Sequence, residues 1–310
     1  MRCALSKTDG MLSEFLGKTA VVTGAGSGFG LELARLAGQR GMRLVLADVQ
    51  ADALERASQE LRGQGVQVLP FVLSVSDGAA MQAMADAVLA QWGAPHLVLN
   101  NAGVGAGGLI WENTLADWDW VLGVNLMGVV HGVRLFTPMM LAAAQADSSW
   151  RGHIVNTASM AGLLSPPNMG VYNVSKHAVV ALTETLHHDL SLVSDQIGVS
   201  VLCPYFVPTG ISQSHRNRPA AGGGRPTTSQ RVGQIMMDKA VQSGRVTAAE
   251  VAATTFAAIE AGQFYIYSHP QALRTVQARM EDIVQARNPG DPFADRPQVR
   301  EQLKAALRDN

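Results

Sequence analysis

Residues 18–30 read Lys18-Thr19-Ala20-Val21-Val22-Thr23-Gly24-Ala25-Gly26-Ser27-Gly28-Phe29-Gly30, and an apolar series at Leu31, Leu33, Ala34, Leu36 and Ala37 follows. The run over 18–23, with its β-branched residues, predicts a buried strand. The series after Gly30 has helical spacing. Strand, glycine-rich turn and helix therefore follow one another without a linker. Glycines let a backbone turn tightly and approach a pyrophosphate, which is held at the positive end of a helix. A glycine cluster alone is also a common loop; the strand before it and the helix after it give it meaning.

Working outward, residues 43–47 predict a second apolar strand with Asp48 at its end. An acid about 20 residues beyond such a turn is placed to accept hydrogen bonds from an adenosine ribose. Its charge repels a 2′-phosphate, and no Arg or Lys occupies the turn or directly follows Asp48. Both points favour NAD over NADP. The structural alternative is that Asp48 caps a helix beginning near Gln50.

The alternation continues: helix over 51–62, strand over 66–72, helix over 76–92 with Ser76 and Asp77 as capping candidates, and strand over 96–100. A long helix over 115–146, bent near Pro138, leads to strand 153–158, helix 171–193 and strand 198–203. A helix over 247–261 and a short strand over 264–267 close the series. This β-α-β order predicts a parallel sheet covered by helices on both faces, in one domain over 18–268. Residues 1–17 read as a loose arm, in which Met11 is an alternative start. Residues 213–230, rich in Arg, Pro, Gly and Thr, read as a mobile segment, either a lid or a plain surface loop. Residues 269–310 form a helical extension, with periodicity at Leu273, Val276, Met280, Ile283 and Val284 and a second, more polar helix over 298–307.

Composition narrows the function. With 47% hydrophobic and 16% charged residues, the chain of 310 residues has ample material for a core. A formal net charge of −1 gives no reason to expect a nucleic-acid partner. No uninterrupted apolar run is long enough to span a bilayer, and the start lacks the apolar stretch of a signal peptide. Cys3 and Cys203 form no CxxC pair, and His177, His187 and His188 belong to no spaced ligand cluster, so neither a disulfide framework nor a metal site is expected. A reduced cytoplasm fits this cysteine usage.

A second stretch carries the chemistry. Gly170-Val171-Tyr172-Asn173-Val174-Ser175-Lys176 sets a tyrosine four residues before a lysine. On a helix the two side chains share a face, one turn apart. A phenol ordinarily titrates near pH ~10, and an ammonium beside it in a shielded cleft favours phenolate. Such a phenol can serve as the general base for an alcohol proton. Surface helices also carry this pair by chance.

Taken together, these motifs resemble the short-chain dehydrogenase/reductase family over residues 18–267. Its TGxxxGxG turn is matched by Thr23 to Gly30, its NNAG by Asn100-Asn101-Ala102-Gly103, its helix asparagine by Asn125, its serine by Ser159, and its YxxxK by Tyr172 and Lys176. The resemblance implies a Rossmann-type, doubly wound α/β/α fold and a Ser-Tyr-Lys-Asn relay. In that relay Tyr172 takes the hydroxyl proton of an alcohol and Ser159 holds the substrate oxygen. Lys176 binds the nicotinamide ribose and lowers the tyrosine pKa, and Asn125 helps hold a water chain to solvent. It further implies cofactor contacts from Gly24, Ser27, Gly28, Phe29, Gly30, Asp48, Asn101, Ala102, Gly103, Tyr172 and Lys176. Pro204, Val207 and Thr209 match the family's PGxVxT loop, with Tyr205 in place of its glycine and an extra proline, Pro208, at its variable position. Ser74 and Val75 stand where relatives commonly carry an adenine-contacting aspartate.

The expected substrate is a small alcohol or ketone. Pocket walls over 104–109, 159–169 and 205–211, including Leu163, Leu164, Pro166, Met169, Tyr205 and Phe206, point to a hydrophobic or ring-containing one. An NADPH-dependent carbonyl reductase and a non-catalytic cofactor-binding sensor are the alternatives. Assembly as a homodimer or homotetramer through helices 115–146 and 171–193 is the family's usual arrangement.

Overall fold

The computed structural model describes residues 12–219 and 225–308. Seven strands, β1 (Thr19–Thr23), β2 (Arg43–Asp48), β3 (Val68–Val72), β4 (Leu97–Asn100), β5 (Gly152–Thr157), β6 (Ile197–Cys203) and β7 (Tyr265–Tyr267), pair in parallel in the order β3-β2-β1-β4-β5-β6-β7. The order reverses between β1 and β4, which opens a crevice at their carboxyl ends. This is the Rossmann-type arrangement that the motifs predict.

The strands are apolar on both faces because helices cover both. Around the sheet run α1 (Gly28–Gln39), α2 (Ala51–Gly63), α3 (Gly78–Trp92), α4 (Leu115–Leu122), α5 (Gly128–Ala146), α6 (Gly170–Ser191), α7 (Thr228–Gln242), α8 (Ala248–Glu260), α9 (Leu273–Val284) and α10 (Pro297–Arg308). Alternation along the strands assigns each residue to a layer. Ala20, Val22, Leu44 and Leu46 meet Leu33 of α1, Leu54 and Leu61 of α2, and Phe256 and Ile259 of α8. Val21, Val45, Val98 and Ile154 meet Met81 and Met84 of α3, Phe136 and Met140 of α5, and Leu186 of α6. Each such large side chain, once buried, contributes roughly 1.5–3 kcal/mol.

The chain before β1 is not a loose arm throughout. Leu12 and Phe15 are buried in the α1/α8 layer. The Phe15 ring lies 5.3 Å from that of Phe256, and the Arg40 guanidinium sits 4.9 Å above Phe15. Cys3 and Met11 lie outside the described residues.

The irregularity in the long helix is also displaced from its expected place. The helix runs on through Pro138, and the break is a wide π turn at Gly123–Met127, between α4 and α5. Because that turn continues the helix, Leu115–Ala146 forms a rod of 32 residues that by length and composition could cross a bilayer. A core helix passes the same test, and here the rod places Phe136 and Met140 fully inside the α3/α6 layer.

Within 213–230, the described residues hold more regular structure than their composition predicts. A 3₁₀ segment spans Gly210–Asn217, and α7 begins at Thr228; residues 220–224 lie outside those described. A capping box starts α7: Gln230 N–H donates to Thr227 Oγ1 (3.2 Å), and Thr227 N–H to Gln230 Oε1 (3.0 Å). The extension after β7 folds back, with α10 packing against α7 and burying Leu303.

Candidate active site

A cleft of about 890 Å³ opens at the carboxyl ends of β1, β2, β4, β5 and β6. Its first wall is the glycine-rich turn. Gly24 has φ +67°, and a Cβ there would stand 2.9 Å from the Cα of Ala102. At Gly30 a Cβ would come within 2.0 Å of the Gly24 carbonyl oxygen, so no larger residue fits. The N-cap residue of α1, Ser27, makes no side-chain cap, which leaves the first N–H groups of a 12-residue helix facing the cleft without a side-chain acceptor. A bare, uncapped helix start behind a turn that admits only glycine fits a pyrophosphate.

Asp48 stands beside that turn. Its Oδ2 accepts from Gly26 N–H and its Oδ1 from Gln50 N–H, both at 2.9 Å. The acid thus ties the turn to Gln50; α2 begins behind Gln50 without a side-chain cap, so the capping role expected of Asp48 is not what its carboxylate performs. Ser74 and Val75 line the same end of the cleft. The Ser74 hydroxyl is paired with Ser76 at 2.8 Å, while Asp77 alone caps α3, accepting from Ala79 and Ala80.

Asn101 acts mainly inward. Thr23 Oγ1 accepts from the N–H groups of Asn101 (2.9 Å) and Ala102 (3.1 Å). The Asn101 side chain donates to the Thr23 carbonyl at 3.1 Å and accepts from Thr157 Oγ1 at 3.4 Å. These bonds pin the loop after β4 across β1 and β5, and so present Ala102 and Gly103 to the cleft. Across the opening, Val207 is buried, and the Thr209 Cβ lies 3.3 Å from where a Cβ on Gly28 would stand.

Three polar side chains meet on the β5/α6 side. Ser159 follows β5; its Oγ accepts from Ala161 N–H at 3.1 Å and donates to the Pro204 carbonyl at 3.4 Å, on the same cleft wall as the Tyr172 phenol. Tyr172 and Lys176 occupy successive turns of α6 and are both buried. The Lys176 ammonium donates to the Thr157 carbonyl at 2.9 Å and lies 5.8 Å from the Tyr172 ring centroid. Asn125 sits on the π turn, fully buried. Its Oδ1 accepts from Val104 N–H (2.8 Å), and its Nδ2 donates to the Val104 carbonyl (3.0 Å) and to Ser175 Oγ (3.1 Å). A Cβ on Gly103 would lie 3.4 Å from Asn125 Oδ1 and 3.6 Å from Lys176 Nζ, so Gly103 is the gap between them.

The electrostatics differ from the expectation of an acidified phenol. Burial pushes the Tyr172 phenol above its ordinary pKa, and the nearby Ser159 hydroxyl offsets this only in part. Burial lowers Lys176 to about 8, against a smaller opposing pull from the Cys203 sulfur. Near 8 the lysine is still mostly protonated at neutral pH, so its charge remains beside the phenol while burial acts against it.

The outer wall is apolar and only partly as predicted. Leu164, Pro166, Met169, Tyr205 and Phe206 line it, whereas Leu163 packs into the core with Val179 and Val180. Met236, Met237 and Val241 of α7 and Ile283, Phe293 and Val299 of the extension join it. Ser229 fixes α7 there, accepting from Leu109 N–H at 2.9 Å and donating to Glu112 Oε2 at 2.7 Å. The capping pair Thr227 and Gln230 ahead of the two methionines was the signal for this helix.

A family model described as short chain dehydrogenase matches residues 18–220. A C alpha-dehydrogenase of Sphingobium sp. strain SYK-6 is 33% identical over 301 residues, 96% of this chain and 96% of that protein. Among solved structures, a short chain dehydrogenase/reductase from Burkholderia phymatum in complex with NAD is 53% identical, covering 91% of this chain and all of that one, with TM-score 0.88. A metagenomic short-chain oxidoreductase in complex with NADP is 34% identical, covering 62% of this chain and 84% of that one, with TM-score 0.57.

Proposed function

This chain belongs to the short-chain dehydrogenase family of oxidoreductases, and from that premise we propose that it oxidises a hydrophobic, ring-containing secondary alcohol with NAD. The observation that carries the proposal is the meeting of Ser159, Tyr172 and Lys176 at the inner end of an apolar cleft whose other end is a glycine-rich anion cradle. When bound, a nicotinamide dinucleotide supplies the hydride acceptor. Gly24, Ser27, Gly28, Phe29 and Gly30 would hold its pyrophosphate, Asp48 its adenosine ribose, and Val207 and Thr209 its nicotinamide end.

In this reading Ser159 hydrogen-bonds the substrate oxygen, and Tyr172 takes the hydroxyl proton. A positive charge brought beside the phenol favours phenolate, which is what an otherwise raised group requires. Lys176 relays that proton to a chain of waters that the turn bearing Asn125 would help hold, and the chain delivers it to solvent. The apolar wall from Leu164, Met169, Met236 and Met237 excludes water and favours a ring-bearing substrate. Exposed Leu115, Met127 and Val174 on α4–α6 support assembly into a homodimer or homotetramer through those helices.

The test is a panel of secondary alcohols with NAD, read by absorbance of the reduced cofactor, on the protein and on Tyr172→Phe. Turnover with at least one ring-bearing alcohol is expected, falling about 10³-fold in Tyr172→Phe with cofactor affinity kept. An equally active Tyr172→Phe enzyme would refute the relay. NADPH binding tighter than NAD would instead favour a carbonyl reductase.

A further inference from the structure

The anion cradle has no cation of its own. Residues 24–30 and 101–103 contain no Lys or Arg. Lys176 is buried and committed to the Thr157 carbonyl. Of the arginines that line the cleft, Arg279, Arg287 and Arg296 belong to the extension, whose Ala272 and Val276 pack on the same apolar cluster as Leu164, on the substrate side. A pyrophosphate carries two negative charges, and a helix terminus supplies only about half a unit of positive charge.

Arg216 fills this gap. It sits in the 3₁₀ segment Gly210–Asn217, which Ser214 fixes from within: its Oγ accepts from Gly105 N–H at 2.8 Å and donates to the Gly105 carbonyl at 3.3 Å. From there the arginine reaches back over the cleft. Its Nε donates to Gln50 Oε1 at 3.3 Å, and the Gln50 N–H is held by Asp48. On its other side, Nη2 and Nη1 lie 3.3 and 3.7 Å from where a Cβ on Gly210 would stand, next to Thr209 opposite Gly28. The guanidinium therefore bridges from the ribose-binding acid to the residue facing the glycine turn. Its hydrogen-bond partners Gln50 and Gln213 are neutral, at 3.3–3.4 Å. A phosphate oxygen would replace such long bonds with shorter, charge-assisted ones.

We propose that Arg216 is a cofactor-binding residue that grips the pyrophosphate of the bound dinucleotide and latches the segment Gly210–Asn217 over it. This rests on the dinucleotide-site reading above and goes beyond it, since no sequence motif assigns the residue. The experiment is calorimetric titration of the full-length protein, Arg216→Ala and Arg216→Lys with NADH, ADP-ribose, 2′-phospho-ADP-ribose and adenosine, at low and high salt. Arg216→Ala is expected to bind NADH and ADP-ribose about 10- to 100-fold more weakly, as for one lost charge-assisted bond. It should bind adenosine unchanged and show a shallower salt dependence, with Arg216→Lys recovering part of the affinity. Three results would overturn the proposal. ADP-ribose could bind Arg216→Ala as tightly as the parent. Adenosine could weaken as much as ADP-ribose, which marks a structural role through Gln50. The loss could be confined to 2′-phospho-ADP-ribose, which marks a 2′-phosphate contact. A parent protein that binds neither NADH nor ADP-ribose would overturn the dinucleotide site itself.

Discussion

Lys176 directs its hydrogen bond at the Thr157 carbonyl, 2.9 Å away, while its ammonium stands 5.8 Å from the centre of the Tyr172 ring. The lysine thus ties α6 to the end of β5 and faces the phenol without bonding its ring. Burial holds Tyr172 above its ordinary pKa and Lys176 near 8. An alcohol dehydrogenase needs the phenolate, so kcat/KM for oxidation should rise by up to about tenfold per pH unit until the phenol is ionised. Ketone reduction needs the protonated phenol and should fall over the same limb. Lys176→Met should move the oxidation limb to higher pH. Profiles in both directions from neutral to about pH 10 check this; an oxidation rate independent of pH would remove Tyr172 as the base.

The Asp48 carboxylate joins Gly26 to Gln50 and lines the cleft beside the glycine-rich turn. Asp48→Asn keeps one acceptor oxygen and removes the charge. NAD should bind about 10-fold more weakly and NADP more tightly, because the like-charge penalty against a 2′-phosphate disappears. Dissociation constants for both cofactors measure it, and an unchanged ratio would show that Asp48 serves only the loop.

Phe15 anchors the segment before β1 between Phe256 and Arg40. Phe15→Ala should cost about 3–5 kcal/mol in urea unfolding. It should leave cofactor affinity unchanged below the transition, since the residue lies in the layer of α1 and α8, behind the sheet from α6. A cost near zero would mean that the segment merely rests on the core.

His153 is buried in β5. The Ser200 hydroxyl donates to the Gln263 carbonyl, so His153 Nε2 must donate to Ser200 at 2.7 Å, leaving Nδ1 unpartnered against Gly198. Protonation there would bury a cation, and burial lowers this imidazole to about 3. Because the folded pKa lies below the unfolded one, the contribution is complete above about pH 6.5. It is lost as pH falls from there toward about 3, by up to ~1.4 kcal/mol per unit. His153→Gln keeps the donor to Ser200 and should flatten the loss between about pH 6.5 and 5. The same slope in both proteins, read by denaturant titration at each pH, would assign the acid sensitivity elsewhere.

The sheet was legible because its strands are short runs closed by turns, and because burial on both faces makes most of those runs nearly continuous in apolar residues. The glycine turn and the Tyr172–Lys176 spacing were legible for the same reason: a motif a few residues long states its own geometry. What escaped depends on distant partners. Phe15 reads as part of an arm until Phe256 is placed against it. Leu163 looks like pocket wall until Val179 and Val180 claim it. The start of α7 lies in a Pro- and Gly-rich neighbourhood that masked its capping box, and nothing local to Arg216 announces Gln50, 166 positions away.

Ser159, Tyr172 and Lys176 are borne by the end of β5 and by α6, whereas the wall they face is assembled from α7 and from the chain beyond β7, parts joined to the sheet only through loops. Exchanging those outer parts for counterparts from a related enzyme should therefore change which molecule is admitted and leave these three side chains in place. Selectivity and reactivity can drift independently in this architecture, and a designer seeking a new substrate should redraw the wall and leave the sheet's carboxyl edge alone.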